Sequence, residues 1–241
     1  MLTALETGLK GGQWFSLIDK VYAPANLRQA WTKVRDNAGA AGVDQQTIAL
    51  FEQNLEANLA NLSAGLRTGS YRPAAIRREW IPKLGSQELR PLGIPTVRDR
   101  IVQTALRHVL EPIFERTFAA QSYGVRPQRG AKDALRRVDE LLKAGQVWVV
   151  DADLKSYFDT IPHAQLRARV AEQISDGRVL ELLEAFLAQD VLGELERQNE
   201  AEPFAGTPQG AVISPLLANI YLNPLDHLLA ARGSRDGALR R

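Results

Sequence analysis

Val147-Trp148-Val149-Val150-Asp151-Ala152-Asp153-Leu154-Lys155-Ser156-Tyr157-Phe158-Asp159 is the stretch on which the reading of this chain turns. It opens with four apolar residues, three of them β-branched, a run that suits a short buried strand better than a helix. Asp151 and Asp153 follow at i and i+2, so on a strand both carboxylates would share one face. Buried clustered carboxylates need a compensating cation. A divalent metal is the natural one, because Mg²⁺ favours one or two carboxylates together with phosphate oxygens and water. The alternative is that Asp151 or Asp153 caps a helix starting near Leu154. On these residues alone the two readings stand level.

The surrounding composition narrows the class of protein. A chain of 241 residues with 45% hydrophobic content can bury a substantial core in one large domain or two small ones. Lys+Arg 30 against Asp+Glu 28 leaves a net charge of only +2, yet the basic residues concentrate between Arg67 and Arg137 and the acids between Glu181 and Glu202. That asymmetry, with a pI near 9.0, is compatible with a polyanionic partner such as nucleic acid. The absence of cysteine excludes disulfides, thiolate zinc sites and a cysteine nucleophile. Three scattered histidines, His108, His163 and His227, do not make a histidine-rich metal centre. No segment has the length of a membrane span and the N-terminus lacks a signal pattern, so the expectation is a soluble cytoplasmic protein without a membrane partner.

Upstream of the opening stretch, residues 1–20 are weakly patterned and read as a mobile lead-in. Leu27 to Arg35 has helical amphipathicity. Thr47 to Leu66 repeats Ile48, Phe51, Leu55, Leu59 and Leu62 at helical spacing, with Gly65 and Gly69 ending the helix. Arg77–Lys83 and Arg90–Pro95 read as a hairpin whose prolines place it at an exposed edge. Asp99 starts a strong helix through Leu110, with Pro112 as its end or kink. Ser122 to Gly130 is a basic, aromatic, glycine-punctuated loop, and Ala131–Leu142 a helix leading into Val147. Downstream, helices are expected over Ala164–Gln173, Arg178–Ala188 and Ser214–Leu229, with Val191–Pro203 as a hairpin or irregular acidic loop.

Four stretches in fixed order resemble one family. They are Arg90-Pro91-Leu92-Gly93-Ile94-Pro95 with Asp99-Arg100, then Tyr123-Gly124-Val125-Arg126-Pro127, then the opening Asp151-Ala152-Asp153 with Tyr157-Phe158-Asp159, and the run Gly206-Thr207-Pro208-Gln209-Gly210 through Leu222. Together, over roughly residues 25 to 230, the chain resembles the reverse transcriptases of group II introns and their retron-like relatives; a CRISPR-associated relative has similar motifs. The resemblance implies an α+β fold, helix-rich with a small antiparallel sheet: the fingers and a partial palm of a right-hand polymerase. It implies a lead-in at 1–24, fingers at 25–146 and partial palm at 147–241.

The activity implied is RNA-directed DNA synthesis, on an RNA template and primer, with dNTPs and Mg²⁺, or Mn²⁺ in its place. Intron RNA is a further partner, through maturase function. Asp153 resembles the first catalytic, metal-binding carboxylate, with the Leu154 carbonyl as a further ligand and Asp151 as support. Lys83 and Arg90 resemble the residues that grip the triphosphate. Phe158 matches the gate that crowds a 2′-hydroxyl, and Gln209 lies by the nucleotide. Tyr123, Arg126 and Arg129 would hold template by stacking and phosphate contact, and Gly206 and Gly210 would let backbone approach it closely. One departure from the pattern is Glu88, in a loop that is usually basic.

The family's Tyr-Ala-Asp-Asp motif, which supplies the other catalytic carboxylates, is not found after Asp153, nor are a thumb and maturase region. The expectation is therefore a chain truncated before that motif and inactive alone. Asp236-Gly237-Ala238-Leu239-Arg240-Arg241 can be back-translated so that a neighbouring frame reads Met-Val-Arg-Tyr-Ala-Asp, which would fit a one-base frameshift after about Gly233. Two rival readings are an RNA-binding fragment that aids intron splicing and a non-functional remnant.

Overall fold

The computed structural model describes residues 12–82, 85, 89–192, 206, 207 and 210–236, with side chains to Ala231. Its elements run α1 (Ile18–Val21), α2 (Pro24–Asp36), α3 (Ile48–Gln53), α4 (Leu55–Thr68), β1 (Ile76–Pro82), β2 (Leu89–Ile94), α5 (Val97–Glu115), α6 (Ala131–Lys143), a 3₁₀ turn (Tyr157–Thr160), α7 (His163–Ala171), α8 (Gly177–Leu187), β3 (Val191–Leu192) and α9 (Ser214–Asp236).

Helix α5 is the axis of the core. The Thr96 hydroxyl caps it by accepting from the Asp99 N–H at 3.2 Å. Ile101, Val102, Ala105, Leu106, Val109 and Leu110 are all fully buried. Pro112 does not end the helix, which continues to Glu115. Helix α2 packs on α5 through Leu27, Ala30, Trp31 and Val34, and Trp31 stacks on Phe51 of α3 with ring centroids 5.2 Å apart. The single helix expected over residues 47–66 is two, α3 and α4, broken at Asn54. Gly69 takes a left-handed conformation (φ +76) and ends α4, while the Ser70 and Tyr71 N–H groups donate back to the Gly65 carbonyl.

Residues 12–24 are not the loose lead-in the sequence pattern implied. Leu17 and Val21 are fully buried, and Trp14 forms a parallel bridge with Ile174. One carboxylate organises this seam. Asp176 Oδ1 accepts from the N–H groups of Arg178 and Val179 and so caps α8, while Oδ2 accepts from Leu17 and Ile18 at the start of α1.

The hairpin expectation holds: β1 and β2 are antiparallel, with Arg77 opposite Ile94 and Pro82 opposite Leu89. The sheet is mixed rather than purely antiparallel, because β3 lies parallel to β1 with Ile76 opposite Val191, giving the order β2-β1-β3. Pro91 thus sits on an edge strand, the usual place for proline within a sheet.

The strand expected at Val147–Val150 does not form. These residues are exposed by 68, 88, 74 and 91%, with no strand alongside them among the described residues. A β-branched run becomes a strand only where a neighbour takes its backbone bonds and a layer covers its side chains. The sheet that exists lies with β1, and α6 buries no residue. Among the described residues, no helix is long and apolar enough to cross a membrane.

Candidate functional site

Three of the four motif stretches meet around the 3₁₀ turn. Ser156, in the left-handed region (φ 49), redirects the chain into Tyr157–Thr160, and the Asp159 N–H closes the turn on the Ser156 carbonyl at 3.0 Å. The Tyr157 hydroxyl donates to the Ala218 carbonyl of α9 at 2.7 Å, and burial pushes its pKa well up. Phe158 is half-buried against the main core, its ring 5.9 Å from that of Tyr157. Asp159 has one carboxyl oxygen buried without a partner, and burial raises its pKa against the opposing pull of Arg78 on β1.

The glycine-bearing loop is locked onto this turn. Thr207 N–H donates to the Phe158 carbonyl at 2.7 Å, and a Cβ at Gly206 would overlap the backbone of Phe158 and Asp159. Only glycine fits there. His163, at the start of α7, donates from Nε2 to the Gly206 carbonyl at 2.7 Å. On the far side, Gly210 (φ +105) lies against the Gly93 carbonyl of β2, again with no room for a Cβ. The Val212 N–H then donates to Gln103 Oε1 on α5 at 2.8 Å. Thr207 is fully buried with its hydroxyl unpartnered.

The fourth stretch is braced from below by α9. Asn219 Nδ2 donates to the Gly124 carbonyl at 2.8 Å. Asn223 accepts from the Ala119 N–H at 3.2 Å and donates to the Thr117 carbonyl at 3.1 Å. His227 Nε2 donates to the same Thr117 carbonyl at 2.8 Å. Their spacing of four puts the three side chains on one helix face. Arg126 holds the loop from within. Its guanidinium pairs with Glu115 at 2.7 Å, donates to the carbonyls of Ala119 and Ser122 at 2.8 Å each, and lies over the Phe118 ring. Val125 and Gln128 take left-handed backbone (φ 49 and 58), a strained choice for a β-branched residue that this network holds in place.

The predicted site residues therefore fall into distinct groups. Arg126 is committed to its own loop, so a phosphate-binding role does not suit it. Arg129 bonds the Ala120 carbonyl at 2.6 Å and stacks over the half-buried Tyr123 ring at 5.5 Å, leaving that pair at the surface. Arg90 is exposed on β2. Gly206 and Gly210 are brought together with Phe158 and β2. Lys83 and Gln209 lie outside the described residues, as do Gly237–Arg241. Asp151, Asp153 and Leu154 are exposed on irregular backbone. Their oxygens are of the hard kind that Mg²⁺ takes, and one or two carboxylates are its usual protein share when phosphates complete the shell. No group of three or more His, Asp or Glu converges as a self-sufficient cage among the described residues.

Sequence reasoning missed His163, Asn219, Asn223 and the buried Asp99. Asp99 accepts from the Tyr71 hydroxyl and from the Ala74 N–H at 3.0 Å, tying the entry to β1 onto α5. Burial raises its pKa, opposed chiefly by the Tyr71 bond. Each of these residues stands inside or beside a motif stretch, but its partner is set only by the tertiary fold.

Comparison with known proteins agrees with this arrangement. Protein YkfC of Escherichia coli (strain K12) is 41% identical over 90% of this chain and 57% of its own length. The group II intron-encoded protein LtrA of Lactococcus lactis subsp. cremoris is 38% identical over 82% of this chain and 32% of its own length. The chain thus spans between a third and three-fifths of these relatives. A partial Cas6-RT-Cas1–Cas2 complex contains a chain of like fold, with TM-score 0.57, 24% identity, and coverage of 93% of this chain and 37% of that one. The family described as reverse transcriptase (RNA-dependent DNA polymerase) matches residues 81–235, and the chain belongs to it.

Proposed function

We propose that this chain is the template- and nucleotide-engaging part of an intron-encoded RNA-directed DNA polymerase, working on an RNA template and primer with dNTPs and Mg²⁺. The observation that carries the reading is the double glycine lock. Gly206 against Phe158–Asp159 and Gly210 against Gly93 draw the hairpin, the 3₁₀ turn and the 206–210 loop into one surface. Asp153, Asp151 and the Leu154 carbonyl would hold Mg²⁺. When bound, the metal would neutralise charge on the transferred phosphates. Arg90 and Lys83 would grip the triphosphate, Gln209 would lie by the nucleotide, and Phe158 would crowd a 2′-hydroxyl. The surface pair Tyr123–Arg129 would stack against template bases.

A primer-extension assay on an RNA template tests this, read beside RNA binding by fluorescence anisotropy. The chain alone is expected to bind RNA and to extend no primer, since no three His, Asp or Glu side chains converge among the described residues as a two-metal site requires. Tyr123→Ala should weaken RNA binding about tenfold. Asp153→Ala should leave RNA binding intact and abolish any incorporation. Absence of RNA affinity, or extension that survives Asp153→Ala, would sink the reading. A splicing-only role is favoured by one contrast: the 117–130 loop is firmly braced, whereas Asp151 and Asp153 sit on unpaired backbone. RNA binding without extension, joined to faster intron splicing, would select that role.

A further inference from the structure

Two cavities flank the turn that follows α4, and they differ in charge. The one facing α8 sets Arg72 and Arg178 against Glu181 and Glu184, so its charges balance. The other is an open cleft between α3, α4 and the start of α5. It holds about 350 Å³, within the range of small-molecule sites, and no carboxylate lines it. Its walls carry the carboxamides of Gln46, Asn58 and Asn61 and the guanidinium of Arg98, beside an apolar patch made by Leu62 and Gly65.

The polar groups of this cleft are set in place and still available. Asn58 Nδ2 donates to the Phe51 carbonyl at 2.9 Å, which fixes that amide and leaves its Oδ1 to accept. The side-chain amides of Gln46 and Asn61 bond no other group among the described residues. Arg98 lies over the Tyr71 ring at 5.1 Å and donates to the Arg72 carbonyl at 3.0 Å, so its charge is aimed rather than free to swing. The carboxylate nearest to it, Asp99 at 3.7 Å from Nε, is fully buried and already accepts from Tyr71 and Ala74.

A carboxamide presents one acceptor and two donor hydrogens side by side, the complement of the N6/N7 edge of adenine. An apolar patch suits the face of a flat ring, and a guanidinium without a competing acid suits a phosphate. We infer that the cleft binds an adenosine 5′-phosphate unit, with Gln46, Asn58 and Asn61 on the base and Arg98 on the phosphate. The same unit is presented by a free nucleotide or by an unpaired residue of RNA. The cleft shares no residue with the surface formed by Phe158, the 206–210 loop and the Tyr123–Arg129 pair, so the inference stands or falls independently of the polymerase reading.

The test titrates the full chain with AMP and with UMP by calorimetry. AMP is then competed with two RNA hairpins that differ only in one bulged residue, adenine or uridine. AMP is expected to bind about tenfold more tightly than UMP. Asn61→Ala and Gln46→Ala remove side chains that the fold does not use, and each should weaken AMP about fivefold with unchanged melting. Displacement of AMP by the adenine hairpin alone assigns the RNA source, and displacement by neither hairpin assigns the free nucleotide. Four outcomes overturn the inference: no binding of AMP, equal affinity for AMP and UMP, displacement by the uridine hairpin as readily as by the adenine one, or AMP affinity that survives the Gln46→Ala, Asn61→Ala double variant.

Discussion

Helices α5 and α6 both carry apolar residues at helical spacing, and meet opposite fates. α5 buries thirteen residues in the centre of the molecule, whereas α6 buries none. Their difference is one of context. α5 is flanked by segments that the chain itself brings onto it: α2, the Tyr71–Ala74 segment bound to the buried Asp99, and Val212, whose N–H donates to Gln103. α6 leads into Val147–Val150, which has no neighbouring strand among the described residues. Periodicity thus reports the side a helix would bury; whether it is buried depends on a partner elsewhere.

That contrast can be broken by mutation. Leu106→Ala on α5 should cost about 2–5 kcal/mol of unfolding free energy, the range for an unrelieved core cavity. Leu135→Ala on α6 should change it by less than about 0.5 kcal/mol. Urea denaturation of the two variants compares them directly, and equal losses would mean that α6 is packed in solution. Arg126→Ala strips Glu115 and two loop carbonyls of their donor, and should cost about 2–3 kcal/mol, with faster amide exchange confined to residues 117–129. If exchange there is unchanged, the loop is held by α9 alone. Gly206→Ala forces the 206–207 segment off the 3₁₀ turn at about 1–3 kcal/mol, visible as a lower melting temperature and earlier proteolysis in that loop.

The smallest effect is electrostatic. Asp159 has a folded-state pKa above the ordinary carboxylate value of 3.8, because burial disfavours its charge. The folded state therefore keeps this proton longer than the unfolded chain does. Stability is lost as pH rises from the ordinary value through the raised one, and the loss is constant above that. Asp159→Asn should raise the urea midpoint at pH 7 and match the parent below pH 3.8. A lower midpoint at pH 7 would show that Arg78 outweighs burial.

Local pattern made most of the helices and the hairpin legible in the sequence, and marked Gly206 and Gly210 as close-approach positions, though toward template rather than toward Phe158–Asp159 and Gly93. The α2, α5 and α8 stripes encode their own burial, and Gly206 and Gly210 stand in a run whose family resemblance is strong. Long-range pairing was not legible. Nothing in the spacing tells that Asp176 caps a helix beginning at Ile18, that His163 reaches Gly206, or that Arg126 folds inward onto Glu115. The last misleads most, because an arginine in a basic loop reads as a phosphate ligand when its buried partner is not in view. Val147–Val150 misleads in the opposite sense, since its strand propensity is genuine and its neighbours are missing from the described sheet.

Asn219, Asn223 and His227 give α9 a property beyond support. Ala218, on the same helix, accepts the Tyr157 hydroxyl, so adjacent residues grip the 3₁₀ turn and the 117–124 loop. With rungs about 6 Å apart, α9 works as a gear rack between them. A slide or roll of the helix displaces both engaged segments together, and a one-residue insertion before Pro215 would rotate every tooth about 100° out of mesh. Any adjustment of the turn that carries Phe158 is thereby registered, through α9, at the loop that carries Tyr123.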